Sequence, residues 1–183
     1  QLQYQLTADG KGYEIVGYDA GAYTAHIPAT YNGLPVVSIR GGAFKDCANL
    51  RYFTMDADQQ TFYVEGGAIF TNDPEKTLVC FPPAYDAQTY YRVPEGTVKI
   101  APFAFAGLRY TGMKLINTLA AIIIPEGVRE IGERAFYEVH YQIHVYVPDS
   151  LTVIGEHLLE GQTSNVPFFG NAGCAFEKYA RAN

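Results

Sequence analysis

Residues 124–136 read IPEGVREIGERAF, and two other stretches keep the same spacing: VPEGTVKIAPFAF over 93–105 and VPDSLTVIGEHLL over 147–159. Each opens on a β-branched residue followed by Pro, at Pro94, Pro125 and Pro148. An Ile comes six residues later (Ile100, Ile131, Ile154) and a large apolar residue eleven later (Phe105, Phe136, Leu159). Constant offsets in three copies mark an internal repeat, which governs the fold before any single element does. An earlier copy runs from Ile27 and Pro28 to Ile39, Ala43 and Phe44, with residues 31–35 inserted in a turn. Pro125 and Pro148 are 23 residues apart and Pro94 and Pro125 are 31 apart; the extra eight fall within 108–118, between elements.

One unit reads as a short strand ending at Pro, a turn, a second apolar stretch ending at Ile, and a tight turn that drives an Ala-Phe pair inward. Pro ends the strand because it cannot donate to a sheet ladder. Gly132 and Gly155 follow the Ile and permit a close turn. A unit of about 23 residues cannot enclose its own apolar face, so successive units must stack around one shared interior. The expected fold is a solenoid, with Phe44, Phe105, Phe136 and Leu159 aligned in a column.

The flanks fit that plan. Residues 4–18 read as two strands joined near Asp9, Gly10, Lys11 and Gly12, which would cover the open edge of the first repeat. Residues 62–82 read as a hairpin around the turn at 72–75. Residues 175–181 read as a short helix sealing the last repeat. One domain is expected, with a hairpin cap over 1–24, irregular repeats over 25–170 and a C-terminal cap over 171–183.

Composition narrows the function classes. Apolar residues make up 48% of the 183 and charged ones 17%, which excludes a disordered tail. Thirteen Lys and Arg stand against 19 Asp and Glu, for a net charge of −6 with no basic run, so nucleic acid is not an expected partner. No window reaches the ~18 uncharged apolar residues of a membrane span. The chain opens at Gln1 without a charged leader and apolar segment, and is read as a soluble, mature or trimmed fragment.

The units GGAFKDCANLRYFTM at 41–55 and IPEGVREIGERAF at 124–136, with GGAIF, TLVCFP and the final FEKYARAN, resemble the BspA-like leucine-rich repeat family. The chain departs from the family pattern at Leu158 and Leu159 in place of Ala-Phe, at Asp56 in place of Pro, and at Pro102 within a turn. The resemblance implies a β-rich α/β leucine-rich-repeat solenoid, right-handed, with short strands, tight turns and short helical segments. It also implies a secreted or cell-surface bacterial protein that binds proteins, host extracellular or surface components among them.

Motifs for chemistry are few. Ser38, Ser150 and Ser164 lack the nucleophile-elbow context, and Gly66 and Gly67 lead into a strand rather than a phosphate-cradling helix. His140 and His144 are spaced like a helical metal pair, but HYQIHVYVP alternates like a strand, on which residues four apart stand roughly 13 Å from each other. Asp56 and Asp58 are too few oxygens for calcium and read as a solvated turn. Cys47, Cys80 and Cys174 fit neither a zinc ribbon nor a disulfide scaffold, and Cys47 takes the family's buried place after Ala-Phe. No catalytic residue, cofactor or metal is expected.

What remains is the sheet surface. If Phe53, Met55, Tyr91, Val93, Ile122, Ile124, Val145 and Val147 point inward, alternation turns Tyr52, Thr54, Tyr90, Arg92, Ala121, Ile123, His144 and Tyr146 outward. Of these, Tyr52, Thr54, Tyr90, Arg92, Ile123, His144 and Tyr146 are the candidate partner-binding residues, because rigid aromatics and Arg are enriched at protein interfaces. The bland reading, that Tyr is a good strand former on a half-exposed sheet, weighs equally. The expected function is a non-catalytic recognition module. Its first rival is a carbohydrate-binding module attached to a larger surface protein or enzyme, since Tyr and His can stack on or hydrogen-bond sugars. A second rival, a glycoside-processing enzyme using Glu126, Glu130 or Glu133, requires two carboxylates facing each other across a cleft.

Overall fold

The computed structural model describes residues 1–109 and 118–182. The chain opens with β1 (Leu2–Leu6) and β2 (Tyr13–Tyr18), paired antiparallel. β3 (Thr24–Ile27) begins the first coil. β4 (Thr30–Tyr31) and β5 (Leu34–Ile39) then close a hairpin over Asn32 and Gly33, whose φ values of 48° and 79° are those a primed two-residue turn needs. The insertion at 31–35 is therefore part of this small hairpin. β5 runs parallel to β2, so the N-terminal pair extends the sheet to which β5 belongs.

β6 (Tyr52–Met55) starts the second coil beside β3. β7 (Phe62–Glu65), β8 (Ala68–Thr71) and β9 (Thr77–Cys80) follow as an antiparallel meander. The hairpin expected from the turn at 72–75 thus has a third strand. Gly66 and Gly67, at φ 56° and 86°, supply the extra turn between β7 and β8.

From here the coils repeat regularly through β10 (Tyr90–Arg92), β11 (Lys99–Ile100), β12 (Ala121–Ile123), β13 (Glu130–Ile131), β14 (His144–Tyr146), β15 (Val153–Ile154), β16 (Phe168–Phe169) and α1 (Ala175–Ala182). β10, β12, β14 and β16 form one parallel sheet. β15, β13, β11 and β9 form the parallel part of a second sheet, which continues into β8 and β7. Among the described residues α1 is the only helix. The Ala-Phe segments are chains of tight turns, in which Ala43, Lys45 and Cys47 each donate to the carbonyl three residues back.

Two apolar clusters fill the interior. In the larger one the rings of Phe81, Phe105 and Phe136 follow one another with centroids 5.1 Å apart, the first pair tilted at 44° and the second stacked at 5°. Amides bind each turn to the next, from Phe81 to the Ala104 carbonyl, from Phe105 to Ala135 and from Phe136 to Leu158. Leu159 continues the column half-buried, and Leu158 is fully buried in the slot that Ala104 and Ala135 occupy. Phe44 departs from the expected column. It packs on Phe53 at 5.2 Å in the second, N-terminal cluster, and the meander brings Phe81 into the column instead. Burial of each Phe stabilises the stack by roughly 2–3 kcal/mol relative to exposure.

β8 separates the two clusters. Its residues Ala68, Ile69 and Phe70 are all fully buried, Ala68 and Phe70 in the larger cluster and Ile69 in the smaller. Alternation along a strand sends neighbours to opposite faces.

The repeated turns share one unusual conformation. Gly42, Phe103, Arg134 and His157 occupy matching places before the inward pair, and all have positive φ. Gly132 and Gly155 precede this residue in their turns. A Cβ on Gly132 would overlap Pro102, and one on Gly155 would overlap Glu133, so the coils approach backbone to backbone there.

Candidate functional site

Register places the outward side chains in two rows across the four-stranded sheet. Tyr90, Ala121 and His144 are Cα partners in the first; Arg92, Ile123, Tyr146 and Phe169 are partners in the second. The intervening Tyr91, Ile122 and Val145 are buried. Tyr90 and Tyr146 are 54% and 42% exposed, Arg92 is exposed, and Ala121, Ile123 and His144 are partly covered. Tyr52 and Thr54 are exposed on β6, where they register with Thr24 and His26 of β3. These two strands form a separate sheet, hydrogen-bonded to neither β10 nor its partners. The seven candidate residues thus divide into a pair on β6 and five on the four-stranded sheet.

Phe169 belongs with them and was not among the candidates. It is 42% exposed, stacks on Tyr146 at 5.1 Å and 22°, and lies 5.3 Å from the His144 ring. The sequence carried a signal for it: the 23-residue offset from Pro125 to Pro148, added to Tyr146, arrives at Phe169. Pro167 precedes this strand instead of following it, which hides the copy.

At the end of the smaller sheet, His26 bridges Thr54 (Nδ1 to Oγ1, 3.0 Å) and Asp56 (Nε2 to Oδ1, 2.8 Å). Asp56 also accepts the Ala29 amide at 2.9 Å. That amide and His26 hold its carboxyl below the usual carboxylate range. The Asp that replaces the repeat's Pro therefore ties two coils together.

The other chemical candidates have local roles. Glu126 accepts the amides of Asp149 and Ser150 in the next turn. Glu130 lies 3.9 Å from Lys99, and Glu133 pairs with Arg134. His144 is on β14, with His140 exposed in the preceding loop. Among the described residues no three His, Cys, Asp or Glu side chains converge as a metal site requires. Cys47 is buried, and desolvation pushes its thiol up to about 11; burial also raises Cys80. Of the 108–118 insertion, Tyr110 and Met113 lie outside the described residues, while the Arg109 guanidinium donates to the Lys45 carbonyl at 3.0 Å. A groove of about 920 Å³ lies between the last coil and α1, walled by Val147, Leu158, Leu159, Phe168 and Phe176. No helix among the described residues is long and apolar enough to cross a membrane.

Residues 84–168 match the model of the BspA type leucine rich repeat region, in six copies. These residues are a BspA-type leucine-rich repeat region. It takes in β10 to β15 and reaches Phe168, one residue short of Phe169. No curated protein matches the chain. Among solved structures, a leucine-rich repeat protein from Eubacterium ventriosum is similar at 20% identity and a TM-score of 0.63, over 81% of this chain and 37% of that one. The pneumococcal vaccine antigen PcpA is similar at 15% identity and a TM-score of 0.55, over 82% of this chain and 43% of that one. Both share the leucine-rich repeat solenoid fold, and the chain spans less than half the length of either. In the repeat region the strand that ends at each Pro carries the outward rows, and the turn after each Ile carries the close glycine contacts.

Proposed function

We propose that the chain is a non-catalytic recognition module of a secreted or cell-surface bacterial protein, binding protein partners through Tyr52, Thr54, Tyr90, Arg92, Ile123, His144 and Tyr146. The observation that carries this reading is the exposure of large aromatics on two sheets, β3–β6 and β10–β16, along strands whose intervening residues Phe53, Tyr91 and Val145 are buried. Tyr52, Tyr90 and Tyr146 are 49%, 54% and 42% exposed. Rigid rings that need not be ordered on binding contribute contact area at low entropic cost. The β1–β2 pair and α1 serve as end caps, so that residues 1–24 and 171–183 protect the stack while its broad face stays free.

The carbohydrate reading asks for an open aromatic face on which a sugar can lie. Tyr146 has one face against Phe169, and Tyr90 has no ring stacked on it among the described residues. A chain carrying Tyr90→Ser and Tyr146→Ser, tested by surface plasmon resonance against a panel of extracellular host and bacterial proteins, should lose partner affinity about tenfold or more with an unchanged melting curve. Unchanged affinity overturns the assignment. Saturable glycan-array binding that the double variant loses, with no protein ligand, would replace it by the carbohydrate reading.

A further inference from the structure

We infer that the four-stranded face recognises an extended peptide segment carrying a carboxylate beside alternating apolar side chains; this rests on the protein-binding reading above and names the partner's chemistry. The first observation is one of charge. The chain as a whole is acidic, at −6, yet no outward position on β10, β12, β14 or β16 holds Asp or Glu. The cation in that surface, Arg92, is exposed and has no ion-pair or hydrogen-bond partner among the described residues. Other Arg side chains are engaged: Arg40 with Glu14, Arg51 with Asp86, Arg134 with Glu160. Acids return only in the turns beyond the strands. There Glu126 accepts two amides and Asp149 accepts Asn171 at 2.8 Å, and the exposed Glu95, three residues after Arg92 in the turn that follows β10, makes no ion pair with it among the described residues. A free guanidinium in an acid-free surface favours an anionic partner and disfavours a cationic one.

The second observation is one of spacing. Arg92, Ile123, Tyr146 and Phe169 stand in one register row over four parallel strands. With neighbouring strands about 4.8 Å apart, the row is about 14 Å long. An extended chain laid along it advances about 6.7 Å for every two residues, so three side chains on its inward face span the row. A carboxylate at the first of these meets Arg92, and apolar groups at the third and fifth residues meet Ile123 and the Tyr146–Phe169 pair. Because those two rings cover each other, the row offers an apolar ridge rather than a sugar platform.

The probe is the acetylated peptide Ser-Asp-Ser-Phe-Ser-Leu-Ser and its reversed sequence, each also made with Asn and with Lys in place of Asp, titrated against the full chain by fluorescence anisotropy. The Asp peptide is expected to bind at least about fivefold more tightly than the Asn peptide, and the Lys peptide more weakly than both. The advantage of Asp should vanish in Arg92→Gln and shrink as salt rises from about 0.05 to 0.5 M. Equal affinity for all three peptides, no binding by any, or an Asp preference that persists in Arg92→Gln would overturn the inference. If the charge series fails while the Tyr90 and Tyr146 double variant still loses its protein partner, only the carboxylate is wrong; if that variant keeps its partner, the protein-binding face itself is wrong.

Discussion

Gly155 lies directly against the backbone of Glu133: a Cβ on Gly155 would overlap the Glu133 amide nitrogen and α-carbon and the carbonyl carbon of Gly132. The same contact is made one coil earlier by Gly132 on Pro102. Coil spacing in a parallel stack is fixed by hydrogen bonds, here from Gly132 to Ile100 and from Gly155 to Ile131, both at 2.8 Å, so a side chain at this place cannot be relieved by moving the coils apart.

Gly155→Ala should therefore cost about 2 kcal/mol or more in chemical denaturation, as overpacking against backbone does. Gly96→Ala is the control. Its φ of 83° disfavours Ala, but among the described residues nothing lies within contact of the added carbon, so a loss of about 1 kcal/mol is expected. Equal losses at the two sites would mean that coil contact is not what requires Gly155.

Tyr91 carries a buried hydroxyl with no hydrogen-bond partner among the described residues, packed among Phe81, Tyr85 and Phe105. Burial pushes the pKa of this hydroxyl far above the usual phenol value, which keeps it neutral. Removing an unsatisfied polar atom while keeping the ring should help, so Tyr91→Phe is expected to stabilise the chain by about 1 kcal/mol in a thermal melt. A destabilised variant would reveal a bond from this hydroxyl to bound water.

Thiol labelling should divide the cysteines. With its thiol at about 11, Cys47 has roughly one thiolate in a thousand at pH 8, and burial also shields it. Cys174 is partly exposed in the turn before α1. Iodoacetamide at pH 8, followed by mass spectrometry, should modify Cys174 first, Cys80 more slowly because desolvation raises its thiol although it too is partly exposed, and Cys47 only after denaturation. Early modification of Cys47 would contradict the packing around Phe44.

Asp56 links acidity to stability. Its folded carboxyl is held below the unfolded value of about 3.9, by the Ala29 amide first and His26 second. A depressed carboxyl stabilises the folded chain above the unfolded value and loses that contribution as pH falls through the folded one. Asp56→Ala should be less stable than the parent at pH 6, and the two should converge as pH drops below about 4. A constant difference from pH 6 to pH 2.5 in urea titrations would remove the ionic part of this account.

Much of the architecture was legible because the determinants of a coil are local. Pro after a β-branched residue, Ile six later and an inward pair eleven later recur at fixed offsets, and strand alternation then separates Tyr91 from its exposed neighbours Tyr90 and Arg92. Phe44 was placed in the wrong company because the meander of β7, β8 and β9 intervenes in space, and Gly66 and Gly67 were not read as its first turn. The division of the outward face between β6 and β10 has the same cause. Phe169 was missed because its Pro stands on the other side of the strand. The groove beside α1 arises from how the helix seats on Phe168, a tertiary event with no periodic trace.

The placement of β8 also bears on how the chain comes apart. Phe70 leans on the C-terminal assembly and Ile69 on the N-terminal one, so losing this strand strips both of a wall at once. Neither half can melt on that side without uncovering apolar side chains of the other, so the two clusters are expected to unfold together rather than one after the other.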